Sequence, residues 1–195
     1  DIGWGLDYLW LMQFGIGEVS HKKYLNDFLT GQYPGSFARG ELYNSDPASG
    51  DARLCGTTAS LCGIEKALYE RNGRDLEKAM MLHAYMLTQS GIPVIYSGDE
   101  IGQENDYSYH QIPENCDDSR YLHRGNFCWE LAEKRKVQGS VQQKLFDGIK
   151  YLERLKTNHS AFDVSADVWT IDTWDVSVLA VVRKSEKEKL VALFN

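Results

Sequence analysis

At 195 residues the chain holds enough material for one ordinary domain or for part of a larger one. Apolar residues at 43% and charged residues at 25% match a soluble globular protein and exclude a disordered chain, and no run of about 18 apolar residues marks a membrane span. The net charge of −7 argues against a nucleic-acid partner, because phosphate binders carry a basic stripe.

In chain order, apolar positions at Leu6, Leu9, Trp10, Leu11 and Phe14 predict a short helix over 6–16, ended by Gly15 and Gly17. Ser20 can cap a second helix through about Leu29, with Tyr24, Leu25, Phe28 and Leu29 as its buried stripe. From Gly31 to Gly56 periodicity disappears, and a polar loop of that length is a functional candidate. A short helix is expected from Thr57 to about Leu68, then a longer one over Arg74–Ser90 with Leu76, Ala79, Met80, His83, Ala84 and Leu87 on one side. Gly91 and Pro93 stop it. Pro93–Tyr96 reads as a fully buried parallel strand, followed by a second polar loop over Ser97–Trp129. Helical spacing returns over Ser140–Leu155 at Val141, Leu145, Ile149 and Leu152. Val168–Ile171, Val176–Val182 and Leu190–Phe194 are β-rich, with turns at Thr173–Asp175 and Ser185–Lys189.

This order predicts an α/β fold: the carboxy-terminal part of a (β/α)8 barrel over residues 1–159, then the start of an antiparallel β-domain over 160–195. The chain opens without Met on a Gly-rich turn and stops inside an apolar run, so a fragment is expected at both ends, inactive and poorly soluble alone. Cys55, Cys62, Cys116 and Cys128 fit no zinc ribbon or redox pair, which predicts reduced thiols and a cytoplasmic setting. The five histidines show no metal-binding spacing; His83 is expected in the core, and His21, His110 and His159 at the surface.

Four clusters carry candidate chemistry: Asp1 with Trp4; Gly35–Gly40 with Asn44–Pro47 and Gly50–Arg53; Tyr96–Gly102; and Asp117–Arg120 with His123 and Arg124. Carboxylates, guanidinium forks and aromatic platforms suit sugars, whose rings present hydroxyls and weakly apolar faces. Each cluster also has a plain structural reading. Asp99-Glu100 can cap a turn, and Asp117, Asp118, Arg120 and Arg124 can form a solvated salt-bridge patch.

Gly91-Ile92-Pro93-Val94-Ile95-Tyr96-Ser97-Gly98-Asp99-Glu100-Ile101-Gly102 resembles the eighth barrel strand of glycoside hydrolase family 13, the α-amylase superfamily. The opening Asp-Ile-Gly-Trp, the Gly-Ser-Phe-Ala-Arg-Gly block, the Gly-Asp-Ala-Arg-Leu-Cys-Gly-Thr stretch and the Asp-Asp-Ser-Arg block resemble its amylosucrase branch. The resemblance implies a retaining α-glucosyl transferase or hydrolase acting on sucrose, with α-glucan or water as acceptor and no cofactor. The nucleophile and the acid/base of that family lie on earlier strands, so no catalytic residue falls in this sequence, unless Asp1 is the transition-state stabiliser. Asp1 better matches the neighbouring Asp of the family string and would contact the acceptor side. Arg53 would reach the same subsite, and Arg120 would close the glucosyl pocket against a carboxylate from an earlier segment. Lys22 stands where the family has an oligosaccharide-binding Arg, a departure that weakens the case for polymer elongation. Two alternatives stay open: another α-glucosidase or trehalose-processing enzyme of the superfamily, and a non-catalytic carbohydrate-binding protein.

Overall fold

The computed structural model describes residues 21–46, 48, 51–65 and 74–195. The helix expected over 6–16, the Ser20 cap, and the candidates Asp1 and Trp4 lie outside the described residues. The chain divides into two compact units, Asp1–Glu70 with Glu104–Asn126, and Arg71–Gln103 with Phe127–Asn195.

In the first unit, α1 (His21–Leu29) leads into a pinned loop rather than a free one. Ser36 donates its hydroxyl to the Phe28 carbonyl, Arg39 N–H to Ser60 O at 3.0 Å, and Gly40 N–H to Leu29 O at 2.8 Å. Gly40 is required there: a Cβ would stand 2.8 Å from the Leu29 carbonyl oxygen. The segment expected as an unbroken loop to Gly56 then forms a β-hairpin, with β1 (Glu41–Asp46) antiparallel to β2 (Asp51–Cys55). Its strands escape periodicity analysis because they are short and mostly exposed, and a register shift between Tyr43 and Asp46 breaks the alternation at Asn44, which sits at φ 50. After Thr57, whose hydroxyl accepts from Ser60 N–H at 3.3 Å, comes α2 (Thr58–Cys62). It breaks at Gly63 in the left-handed region (φ 92); Ile64 and Glu65 are again helical, and the rest of the stretch expected to about Leu68 lies outside the described residues.

The second unit is built on α3 (Arg74–Thr88), α4 (Trp129–Glu133), α5 (Val141–Asn158) and a sheet of β3 (Asp167–Ile171), β4 (Leu179–Lys184) and β5 (Lys189–Phe194). Asp75, Ala79, His83 and Leu87 recur every four residues and form the buried stripe of α3, which packs on α5. Burial lowers the His83 pKa against the opposing pull of Asp99, so this core histidine stays neutral. A capping box starts α5: the Ser140 hydroxyl accepts from Gln143 N–H at 3.0 Å, while Gln143 Oε1 accepts from Gly139 N–H at 2.6 Å. The sheet order is β3-β4-β5, antiparallel throughout, with Ala180, Val181, Val182 and Arg183 of the central strand all buried.

Arg183 joins these parts. Its guanidinium donates to Ala161 O (Nε, 2.7 Å), Thr88 O (Nη1, 2.9 Å) and Asp163 O (Nη2, 3.3 Å). Lys156 of α5 donates to Leu87 O at 2.9 Å. Both cations therefore meet the carbonyl-rich C-terminal end of α3, where positive charge is favoured.

The buried parallel strand expected over Pro93–Tyr96 is not formed. The segment enters neither sheet, and Ile92 and Val94 are 92% and 76% exposed. A parallel strand is buried by neighbours on both edges and helices on both faces, and among the described residues nothing pairs with this one. The Ser97–Trp129 stretch is a series of short 3-10 turns, Asp99–Ile101, Tyr107–Gln111 and Ser119–His123. None of the four cysteines forms a disulfide, and Cys55 and Cys62 are buried.

Arg183→Met keeps most of the volume and removes every guanidinium bond, leaving buried carbonyls without donors. We expect a loss of about 2–4 kcal/mol, read as a lower urea midpoint at unchanged slope.

Candidate functional site

Three of the four candidate residues, Lys22, Arg53 and Arg120, lie in the first unit; Asp1 is outside the described residues. The hairpin and the Ser119–His123 turn bring two of them together. Tyr43 of β1 is the direct cross-strand partner of Arg53 of β2, so the two side chains share one face of the hairpin. The turn is pinned to the same strand by Ser119, whose hydroxyl donates to Leu42 O at 3.0 Å. The next residue, Arg120, lays its guanidinium carbon 4.7 Å from the centre of the Tyr43 ring, within cation–π range. Arg120 thus lies over the tyrosine that is the cross-strand partner of Arg53, 67 positions earlier in sequence.

Asp118 caps the turn and holds Arg120. Its carboxylate accepts from the Arg120 backbone N–H at 3.0 Å and from Nε at 2.8 Å, and from Nη2 at 2.6 Å. The hydrogen bonds from Arg120 pull the Asp118 pKa from the ordinary 3.8 to about 2, and the same pairing raises Arg120. The structure therefore gives Arg120 a carboxylate from its own turn. The Arg120 side chain remains 44% exposed. Arg53 is exposed, and Lys22 pairs with Asp51 at 2.5 Å on the open surface, a contact worth well under about 1 kcal/mol. Its position on α1 places Lys22 beside β2 through that aspartate, not on the tyrosine.

Two further polar groupings had no signal in the sequence because their members are distant in the chain. Glu41, two residues before Tyr43, accepts from the Tyr109 hydroxyl and lies 3.0 Å from His110 Nε2. Tyr109 is buried, its pKa pushed up first by burial and then by Glu41, so its hydroxyl remains a donor. The second grouping centres on Asn105. Its Oδ1 accepts from Thr57 N–H at 2.8 Å, its Nδ2 donates to Arg39 O at 2.5 Å, and its N–H donates to Ser60 Oγ at 2.9 Å. Glu65 completes it, accepting from Ser60 Oγ at 2.6 Å, Tyr107 Oη at 3.0 Å and Arg39 Nη1 at 3.2 Å. Loop 31–40, α2 and the 104–126 segment are tied together by these bonds, which hold the backbone from which the hairpin springs.

The Tyr96–Gly102 cluster belongs to the second unit and behaves as a capped turn. Glu100 accepts from Gly98 N–H at 2.9 Å, in line with the structural reading of Asp99-Glu100. A cleft of about 760 Å³ in that unit, lined by Tyr85, Ile171, Trp174 and Leu179 among others, contains none of the candidate residues. Among the described residues, no group of three or more His, Cys, Asp or Glu side chains is placed to hold a metal ion, and no helix is long and apolar enough to cross a membrane.

The depressed Asp118 pKa sets a direction with pH. A lowered carboxylate pKa adds stability above the unfolded value near 3.8, and that contribution is lost as pH falls through about 2. Carbon-detected titration of Asp118 is expected to show a midpoint well below the other exposed aspartates, and Arg120→Gln to return it toward the ordinary value. An unchanged midpoint in that variant would show that the carboxylate is not held by Arg120.

No family model matches the chain. Over 134 residues, 66% of its length, the chain is 26% identical to glucosylglycerate phosphorylase of Escherichia coli (strain K12). The matched region spans 23% of that protein, so the chain covers less than a quarter of this relative. The likeness is partial and carries no amylosucrase specificity.

Proposed function

We propose that this chain contributes the sugar-binding side of an α-glucosyl transferase or hydrolase whose donor is sucrose, with an α-glucan or water as acceptor. The observation that carries the reading is that Arg120 lies over Tyr43, the cross-strand partner of Arg53, and each arginine sits in a block that resembles the amylosucrase branch. A guanidinium presents a planar fork to adjacent hydroxyls. In this reading residues 1–159 are the closing portion of a (β/α)8 barrel and 160–195 open an antiparallel β-domain, for which the β3-β4-β5 sheet is support. The chemistry of bond cleavage needs two carboxylates and no cofactor, and both would come from barrel strands before this sequence.

A second reading follows from the similarity to a phosphorylase: the glucosyl group would pass to phosphate instead. One assay separates the two. The full-length protein is given sucrose or glucosylglycerate, with and without inorganic phosphate, and free fructose, glucose and glucose 1-phosphate are measured. Fructose release without phosphate supports the sucrose reading, and glucose 1-phosphate formed only with phosphate supports phosphorolysis. Binding of either sugar without turnover would leave a carbohydrate-binding protein and overturn both enzyme readings. For the active donor, Arg120→Gln is expected to raise KM by about 10- to 100-fold, the loss of a charged hydrogen bond at the substrate.

A further inference from the structure

Arginine side chains are long, and an exposed guanidinium without supports samples many positions before it meets a ligand. Arg120 is supported on two sides. Its planar face rests over Tyr43 at 4.7 Å, and one edge, Nε and Nη2, is taken by the Asp118 carboxylate at 2.6–3.0 Å. Nη1 is not part of either support, and the side chain keeps 44% of its surface exposed. The supports are themselves fixed: Asp118 also caps the turn, and Ser119 ties the turn to the strand that carries Tyr43. What stays available is a pre-set donor edge and one guanidinium face, on the same side of the hairpin as Arg53.

We propose that Tyr43 and Asp118 are positioning residues, which set the Arg120 guanidinium so that its Nη1 edge meets a sugar hydroxyl pair without reordering. Tyr43 supplies the floor and Asp118 the back stop; neither needs to touch the sugar. This rests on the sugar-binding role given to Arg120 above, and it assigns work to two residues outside that role. Pre-ordering a donor strengthens binding by removing the cost of fixing it at the moment of contact.

The test has one arm that needs no substrate. In the full-length protein with 15N-labelled arginine, the Arg120 Nε–H is expected as a slowly exchanging resonance, assigned by its loss in Arg120→Gln. Asp118→Asn is expected to broaden it, and Tyr43→Leu to move it by removing the ring current, while Tyr43→Phe leaves it in place. A resonance unmoved by Tyr43→Leu, or no protected Nε–H at all, overturns the positioning. The second arm reads donor affinity. Tyr43→Leu is expected to raise KM about three- to tenfold with kcat within about twofold, and Tyr43→Phe to restore KM. In an Arg120→Gln background the Tyr43→Leu effect should vanish, since the tyrosine acts through the arginine. An undiminished effect in that background overturns the proposal, because the ring would then be contacting the sugar or merely holding the fold. If the wild-type protein neither binds nor processes sucrose or glucosylglycerate, the functional reading fails and with it the sugar as the purpose, while the resonance arm still decides whether Tyr43 and Asp118 hold Arg120.

Discussion

Buried polar groups at the ends of helices and turns must be met by partners, and in each unit one side chain meets several of them from distant segments. In the second unit Arg183 reaches from the central strand to the last turn of α3 and to the 160–163 turn, with Lys156 beside it. The guanidinium is 1% exposed and its neighbours are carbonyls, so its charge is balanced by peptide dipoles and not by a carboxylate among these bonds. Burial lowers the pKa of both cations, and for Lys156 the nearby Arg183 adds to the effect. A residue type that is usually exposed thus becomes the joint of that unit.

Asn105 plays the matching part in the first unit. One amide side chain accepts from α2 and donates to loop 31–40, while its backbone N–H goes to the fully buried Ser60. The loop would otherwise carry unanswered polar groups, and with them answered it ends in a defined place, Gly40, immediately before β1. The candidate site is downstream of this arrangement. Tyr43 lies three residues past that glycine, and the turn that carries Arg120 is hydrogen-bonded to the same strand.

The departures from expectation have a common physical cause. Periodicity detects elements that bury one face, and the β1–β2 hairpin buries little of either, so it reads as loop. The converse error occurs at Pro93–Tyr96, where a dense apolar burst reads as a buried strand yet lies exposed. Composition reports what a segment would do if partners were present, and pairing is decided by partners.

From the residues alone came helices close to 21–29, 74–88 and 141–158, the three terminal strands and the buried His83. Arg53 and Arg120 were also legible, as motif members. These are local or pattern-borne features: a stripe every four residues, an alternating run between polar turns. Only the tertiary structure decided that Arg120 lies over Tyr43, the cross-strand partner of Arg53, that Asp118 is a carboxylate beside Arg120, and that Arg183 and Asn105 are structural joints. Each of those depends on contacts between distant segments, or on a side chain's direction within a turn, and neither leaves a period in the sequence.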